Sequence, residues 1–286
     1  MIQHAVLALL SVLLLFLVEW RNEKDKKDAA NPQKSARAAK QVTPLRQAHA
    51  HNDYQHKRPL LDALEQGFCS VEADVYLVGA KLLVGHTPLD LRPERTLEKL
   101  YLAPLKERVR ANGGRVSRDG PTVYLLIDVK TEAKATYAAV DKLLARYGNM
   151  LSATRDGKHQ VGAVTVVISG NRDQETIARQ KVRYAGMDGR PSDLDSDAPA
   201  AQTPWISASW GTLFRWKGEG PMPEEERRKL RDFVGKTHKH GRMVRFWATP
   251  EKPEVWKELL SAKVDLINTD RLAELRKFLR ENGAAK

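Results

Sequence analysis

The stretch that decides the fold runs from residue 49 to residue 86, and its three informative parts read His49-Ala50-His51-Asn52-Asp53-Tyr54, Val71-Glu72-Ala73-Asp74-Val75 and Val84-Gly85-His86. The apolar neighbours of Glu72 and Asp74 predict a β-strand, on which side chains two positions apart point to the same side. The two carboxylates then converge, and they repel each other unless a cation lies between them or one takes a proton. Carboxylate oxygens are ligands that Mg²⁺ and Ca²⁺ prefer. The stretch therefore predicts a metal site, with a histidine on either side in sequence to supply a base and an acid.

The composition is that of a folded globular protein with a sizeable core. The chain has 286 residues, of which 42% are hydrophobic and 29% are charged. Its single cysteine, Cys69, excludes an internal disulfide. The net charge of +12 suits anionic partners such as a phosphate-bearing substrate or an anionic membrane surface. The sequence has no basic stripe with interleaved aromatic residues, so nucleic acid is not expected as a partner. Nothing in it predicts an oligomeric state.

The first 42 residues predict a targeting segment followed by a linker. Residues 5–18 are almost wholly apolar, which is short for a transmembrane helix and suits the core of a signal peptide. Basic residues follow this run and would pull that flank of an uncleaved anchor toward the cytoplasm. We expect residues 1–20 to be a signal peptide or membrane anchor, so that the protein is exported to the periplasm or secreted, or held at a membrane. Residues 21–42 are expected to be a polar linker, and residues 43–283 to form the folded domain.

Beyond the linker, short apolar runs alternate with amphipathic helical stretches. The runs predict eight strands, at Leu45–Ala50, Ser70–Leu77, Thr122–Asp128, Ala163–Ser169, Val182–Ala185, Trp205–Ala208, Met243–Trp247 and Val264–Asn268. Helices are predicted between many of them, at Leu97–Ala111, Ala133–Tyr147, Glu224–His238, Pro253–Ser261 and Arg271–Glu281. Residues 186–204 predict a long loop. This alternation favours a single α/β domain, a parallel (β/α)₈ TIM barrel.

Polar side chains cluster where the predicted strands end. In such barrels, the chemistry lies at the C-terminal ends of the strands. The candidates there are His49, His51 and Asn52 at the end of the first strand, Glu72 and Asp74 on the second, Asp128 and Lys130 at the end of the third, Arg172 after the fourth and Trp247 on the seventh. A strand end in water is often polar, but so many ends with suitable groups indicate a functional site.

These residues resemble the superfamily of phosphoinositide-specific phospholipases C and glycerophosphodiester phosphodiesterases. The resemblance extends over most of residues 45–272, and it is most specific in the first 130. The matching segments are His51-Asn52-Asp53-Tyr54, Glu72-Ala73-Asp74, His86, Leu126-Ile127-Asp128-Val129-Lys130-Thr131 and Asp265-Leu266-Ile267-Asn268-Thr269-Asp270-Arg271. A longer string adds Arg58-Pro59-Leu60, Leu83-Val84-Gly85 and Leu100-Tyr101-Leu102-Ala103-Pro104-Leu105, and is similar to the altered-inheritance-of-mitochondria branch. The chain departs from the glycerophosphodiesterases in lacking their His-Arg-Gly and Pro-Glu-Asn motifs, and it has Asp128 where many relatives have Glu.

The resemblance implies a PLC-like phosphodiesterase barrel and a phosphoric diester hydrolase acting on a glycerophosphodiester or phospholipid-type substrate. It implies that Glu72, Asp74 and Asp128, with Asn52, hold Mg²⁺ or Ca²⁺, and that His51 and His86 are the general acid and base. Lys130 and Arg172 would bind the phosphate, and Trp247 would line the substrate pocket. His49 rivals His51 and is expected beside the substrate. The attacking group is either water or a substrate hydroxyl, which would give a cyclic phosphate.

Two other functions fit parts of the sequence. His49-Ala50-His51 at the end of a first barrel strand is also a zinc-binding pattern of amidohydrolases, although residues 182–210 contain no histidine for their further ligands. A catalytically inert binding barrel is the third possibility, and the complete set of acids, histidines and lysine weighs against it.

Overall fold

Residues 42–282 are described by a computed structural model. The expectations for residues 1–20 and for most of the linker at residues 21–42 lie outside this range. Within it, no helix is both long and apolar enough to cross a membrane.

Eight parallel strands close into a barrel, because the first strand pairs with both the second and the last. These strands are β1 (Leu45–Ala50), β2 (Phe68–Val78), β4 (Val123–Val129), β7 (Val164–Gly170), β9 (Ala185–Gly189), β10 (Trp205–Ser209), β11 (Met243–Trp247) and β12 (Leu266–Thr269). Strand β3 (Lys81–Val84) runs antiparallel to the end of β2, while β5 (Ala153–Arg155), β6 (Lys158–Gln160) and β8 (Val182–Arg183) form a separate small sheet. The predicted TIM barrel is confirmed.

Helices connect the strands and cover the outside of the barrel. They are α1 (Leu61–Gln66), α2 (Ala103–Ala111) after a π-helical turn at Glu98–Leu102, α3 (Ala133–Ala145), α4 (Gln174–Arg179), α5 (Trp210–Leu213), α6 (Glu224–Lys239), α7 (Pro253–Ser261) and α8 (Leu272–Glu281). Single 3₁₀ turns lie at Asp53–Gln55, Pro88–Asp90 and Pro191–Asp193. Pro253 stands in the first turn of α7, where its missing N–H has no helical partner to lose.

The fifth barrel strand begins three residues later and ends four residues later than the sequence indicated. Val182–Arg183 belongs to the small sheet, and the barrel strand is Ala185–Gly189, which apart from its first residue lies inside the predicted long loop. Its Ala-Gly-Met-Asp-Gly sequence has no apolar alternation. A Cβ on Gly186 would lie 2.7 Å from Cδ of Pro204, so the close approach of the chain before β10 requires glycine there.

The barrel interior changes from apolar to polar along the strands. At the lower end a small cluster of Leu126, Val167, Trp205 and Leu266 fills the centre. Two residues further along β4, Asp128 is the register partner of Asp74 on β2. Inward positions alternate along each strand, so this polar layer sits directly above the packed centre, at the C-terminal ends of the strands. The fold thus places Asp74 and Asp128 at the mouth of the barrel.

Candidate functional site

Three carboxylates converge at the mouth of the barrel. One oxygen from each of Glu72, Asp74 and Asp128 lies within 4.8 Å of the others, and no other group of three or more such ligands is found in residues 42–282. Both Asp74 Oδ1 and Asp128 Oδ1 are buried without a hydrogen-bond partner. Buried carboxylate oxygens with no donor are costly unless a cation satisfies them. The donor set therefore fits a hard divalent cation, and its three oxygens suit Mg²⁺ or Ca²⁺ alike.

Lys130 lies across two of the acids. Its Nζ is 2.6 Å from Asp128 Oδ2 and 3.1 Å from Asp74 Oδ2. Burial opposes the charge of this lysine, but the two carboxylates outweigh it and raise the pKa of Lys130 to about 12. Burial and the neighbouring Glu72 raise the pKa of Asp74 to about 6, against the effect of Lys130. The site therefore holds the charged ammonium group of Lys130 next to Asp74, a carboxyl group that resists ionisation.

Glu72 has a separate set of partners below the mouth. His49 Nε2 lies 3.2 Å from Glu72 Oε2, and Arg245 also donates to Oε2. Burial alone would raise the pKa of Glu72, but the Arg245 charge and the His49 hydrogen bond hold it well below its usual range. Glu72 is thus a buried carboxylate that stays ionised.

His49 lies below the opening, and its contact with substrate stays a prediction that its burial does not support. Its side chain is fully buried, with Nδ1 2.7 Å from the hydroxyl of Ser70 and Nε2 on Glu72. Burial and Arg245 lower the pKa of His49 to about 4, so it stays neutral. His49 faces into the barrel because it shares the inward side of β1 with His51, two residues on. It orients Glu72 rather than reaching the opening.

His51 lies at the mouth, one residue beyond the end of β1. Its Nδ1 donates to Asp270 Oδ1 at 2.8 Å, which leaves Nε2 as the free ring nitrogen. Burial works against protonation, but the hydrogen bond to Asp270 and the charges of Glu72 and Asp270 outweigh it and raise the pKa of His51. The arrangement, an imidazole oriented by a carboxylate, is that of a general base.

Tyr54 connects the remaining parts of the site. Its hydroxyl lies 2.6 Å from Asn52 Oδ1, 2.8 Å from Asp74 Oδ2 and 3.0 Å from His86 Nδ1. Asn52 adopts a left-handed backbone conformation with φ 47°, which asparagine tolerates better than most residues. Asn52 therefore reaches the acids through Tyr54, and its role as a direct ligand stays a prediction. His86 is half exposed and 3.5 Å from Asp74 Oδ2, on the side of the acids that faces solvent.

The two remaining candidates lie further out. Trp247, at the end of β11, is 43% exposed, which is unusual for tryptophan and suits a pocket lining. Arg172 is half-buried and donates to the backbone carbonyl of Asp188 on the neighbouring strand. Contact of either residue with substrate stays a prediction.

Gly170, at the end of β7, provides the space that Asp128 occupies. Its φ is +66°, and a Cβ there would collide with Asp128 Oδ1 and the Val129 carbonyl. We expect Gly170→Ala to displace Asp128 and to weaken cation binding about tenfold or more, since strain of this kind is on the order of 1–3 kcal/mol. Titration of the melting temperature with MgCl₂ or CaCl₂ measures this. Gly79→Ala is the matched control, because Gly79 has φ +59° and open space at its Cβ position. Equal effects of the two substitutions would contradict the explanation.

Residues that sequence reasoning left without a role complete the site. Tyr54 and Asp270 belong to segments that match the superfamily but have no predicted role, and no role is predicted for Ser70 or Arg245. Arg245 carried a signal, because a charged residue two positions before Trp247 shares the inward side of β11 with it. Gly170 carried none, because its importance depends on the position of Asp128.

Comparison with known families agrees with this geometry. Residues 36–117 match the AIM6-like phosphodiesterase domain, and residues 243–273 match the glycerophosphoryl diester phosphodiesterase family. The first match spans Glu72, Asp74 and both candidate catalytic histidines, and the second spans Arg245 and Asp270.

Two solved structures share the fold. A calcium-dependent phosphoinositol-specific phospholipase C from a Gram-negative bacterium, Pseudomonas sp., is 15% identical with a TM-score of 0.50, covering 82% of this chain and 93% of that one. A glycerophosphodiester phosphodiesterase from Parabacteroides distasonis ATCC 8503 is 16% identical with a TM-score of 0.52, covering 82% and 97%. At these identities the comparison establishes the barrel type alone.

Two relatives show the sequence similarity. Altered inheritance of mitochondria protein 6 of Eremothecium gossypii is 31% identical over 283 residues, covering 85% of this chain and 72% of the relative. A homologue in Arthroderma benhamiae is 28% identical over 253 residues, covering 78% and 80%. The chain therefore belongs to the altered inheritance of mitochondria protein 6 family, a branch of the PLC-like phosphodiesterase barrels.

Proposed function

We propose that the protein is a metal-dependent phosphoric diester hydrolase that uses His51 and His86 as a general acid–base pair. The observation that carries the proposal is the junction at Tyr54, whose hydroxyl contacts an acid of the cluster, the imidazole of His86 and the amide of Asn52. Because Asn52 Nδ2 lies 2.9 Å from His51 Nδ1, this junction connects an acid of the cluster to both histidines. The phosphodiesterase family matches support the same chemistry.

The acids would hold Mg²⁺ or Ca²⁺ beside the phosphate. A cation bound there supplies positive charge that offsets the charge developing on the phosphoryl oxygens. Glu72 is suited to this role because Arg245 and His49 keep it ionised. Lys130 adds a second positive charge, and its half-exposed side chain can turn from Asp128 toward the phosphate.

The two histidines differ in their surroundings, which assigns them different tasks. His51 is held by Asp270 and its raised pKa favours accepting a proton, so we assign it as the base toward the attacking oxygen. His86 is half exposed and fixed at one nitrogen by Tyr54, which leaves its other nitrogen to protonate the leaving oxygen. The attacker is water or a neighbouring hydroxyl of the substrate. An exposed Trp247 at the rim favours a glycerophosphodiester or phospholipid-type substrate with an apolar part.

A panel of phosphodiesters tests the proposal. We expect the full chain to cleave a glycerophosphodiester, a phosphoinositide or a sphingolipid in MgCl₂ or CaCl₂. It should lose this turnover in excess EDTA, because without a cation the carboxylates repel the anionic phosphate. Phosphorus NMR of the product separates a monoester from a cyclic phosphate. Turnover that persists unchanged in EDTA would contradict the metal dependence. Cation binding without cleavage of any diester would favour an inert binding barrel.

A further inference from the structure

Arg245 is a buried cation that the proposed chemistry does not use. It stands in the middle of β11 and is 3% exposed. Its Nε donates to Asn268 Oδ1 at 2.9 Å, and its Nη2 donates to Glu72 Oε2. The guanidinium is therefore locked from two sides at the floor of the acid cluster, on the face opposite to solvent.

Stability alone does not account for this contact. A buried ion pair gains little over a well-packed apolar pair of the same volume, because both charges lose their hydration. The surrounding interior is otherwise apolar just below, around Trp205 and Leu266. A charge kept at this depth points to a use for the charge itself.

The charges of the cluster indicate what that use is. Lys130 contacts Asp74 and Asp128 from the half-exposed side, and its flexible arm can leave. Among the three acids Arg245 contacts only Glu72, and its buried guanidinium is also held by Asn268. Arg245 and His49 both contact Oε2 of Glu72, and neither contacts its Oε1.

We infer that Arg245 is a positioning residue and fixed counter-charge for the cation site: it holds Glu72 as a single-oxygen donor and sets the affinity of the three acids for a divalent cation. This rests on the cation site of the proposed function, but not on the reaction. The guanidinium of Arg245 places one fixed positive charge beside the three carboxylates, and an incoming cation does not displace it. Its removal leaves Glu72 without a charged partner in the cation-free protein and makes the acids more attractive to a cation.

Thermal unfolding of Arg245→Met in EDTA and in rising MgCl₂ or CaCl₂ tests the inference. In EDTA we expect the melting temperature to fall by roughly 10 °C, as for other broken buried ion pairs in a domain of this size. Saturating cation should restore about half of the loss or more. The cation concentration at the midpoint should be roughly tenfold lower than for the wild type, a usual size for coupled sites. Arg245→Lys, which keeps the charge, should lie close to the wild type in cation response.

Arg242→Met is the matched control. Arg242 is as buried as Arg245 and precedes the same strand, but it donates to the backbone carbonyls of Asp193, Ser196 and Ala198 and contacts no carboxylate. Its substitution should lower the melting temperature equally with and without cation. The same equal loss for Arg245→Met would overturn the inference by showing a merely structural role.

A double substitution covers the case in which Arg245→Met does not fold. Arg245→Met with Glu72→Gln removes both charges, and recovery of a cooperative transition would support the inference. Failure of this double variant to fold would overturn it. A wild type that shows no cation-induced rise would overturn both the inference and the cation site. If the wild type cleaves no diester of the panel but the variants respond to cation as expected, the result would count against the proposed reaction alone.

Discussion

Replacing His51 by alanine is expected to lower phosphodiester turnover by about two to four orders of magnitude, the usual contribution of a general acid or base. The reason is its single free ring nitrogen at the mouth of the barrel, since Nδ1 is held by Asp270 at 2.8 Å. Because the side chain lies at the opening rather than in the core, stability should change little. Steady-state kinetics with the best substrate of the panel, beside a melting curve, measures both. His86→Ala should show the same loss, because in the proposed mechanism the two residues act on the two reacting oxygens.

The chain contains a matched control for this prediction. His238 Nε2 lies 2.7 Å from Asp265 Oδ2, a histidine–carboxylate pair of nearly the same geometry. Asp265 precedes β12 and Asp270 follows it, so the two pairs stand at opposite ends of one strand. His238→Ala should leave turnover unchanged. A loss in His51→Ala no larger than in His238→Ala would contradict the assignment of His51.

Strong local patterns made most of the barrel predictable. Strands β1 and β11 and helix α7 begin and end where the apolar periodicity places them. The fifth strand was not predicted because Gly186 and Gly189 are required by the close approach of residues that lie 14 or more positions further along the chain. A requirement for close tertiary packing produces no periodic pattern in the sequence.

The site was predictable to the extent that its residues follow strand alternation. The convergence of Glu72, Asp74 and Asp128 follows from adjacent strands in register, with Asp74 opposite Asp128. The depth of a residue below the mouth does not follow from alternation. His49 and His51 share a side of β1, yet one is fully buried and the other lies at the opening. Alternation also does not predict the role of Arg245, because its partner Glu72 lies 173 residues away in sequence.

Asp74→Asn is expected to change stability and activity in opposite directions. Asp74 is 1% exposed, with one oxygen unpartnered, and burial beside Glu72 raises its pKa from 3.8 to about 6. At neutral pH the cation-free protein therefore holds a carboxylate that its surroundings disfavour. The neutral amide should raise the free energy of unfolding in EDTA by about 1–2 kcal/mol. Each pKa unit corresponds to about 1.36 kcal/mol, and the poorer fit of the amide beside Lys130 reduces the gain. Turnover should fall by about two to three orders of magnitude, because the cation loses a charged ligand.

The pH dependence gives the sign of this effect independently. An acid whose pKa is raised on folding binds more protons in the native state than in the unfolded state, so its contribution to stability falls as pH rises. In EDTA the advantage of Asp74→Asn over the wild type should therefore be small near pH 4 and grow up to about pH 6. Asp188→Asn is the control, since Asp188 is equally buried but pairs with Arg190 and lies outside the acid cluster. Denaturant unfolding at several pH values measures the difference. If Asp74→Asn instead destabilised the cation-free protein at every pH, Asp74 would be a structural partner of Lys130 and Tyr54, and the site would not be one that a cation completes.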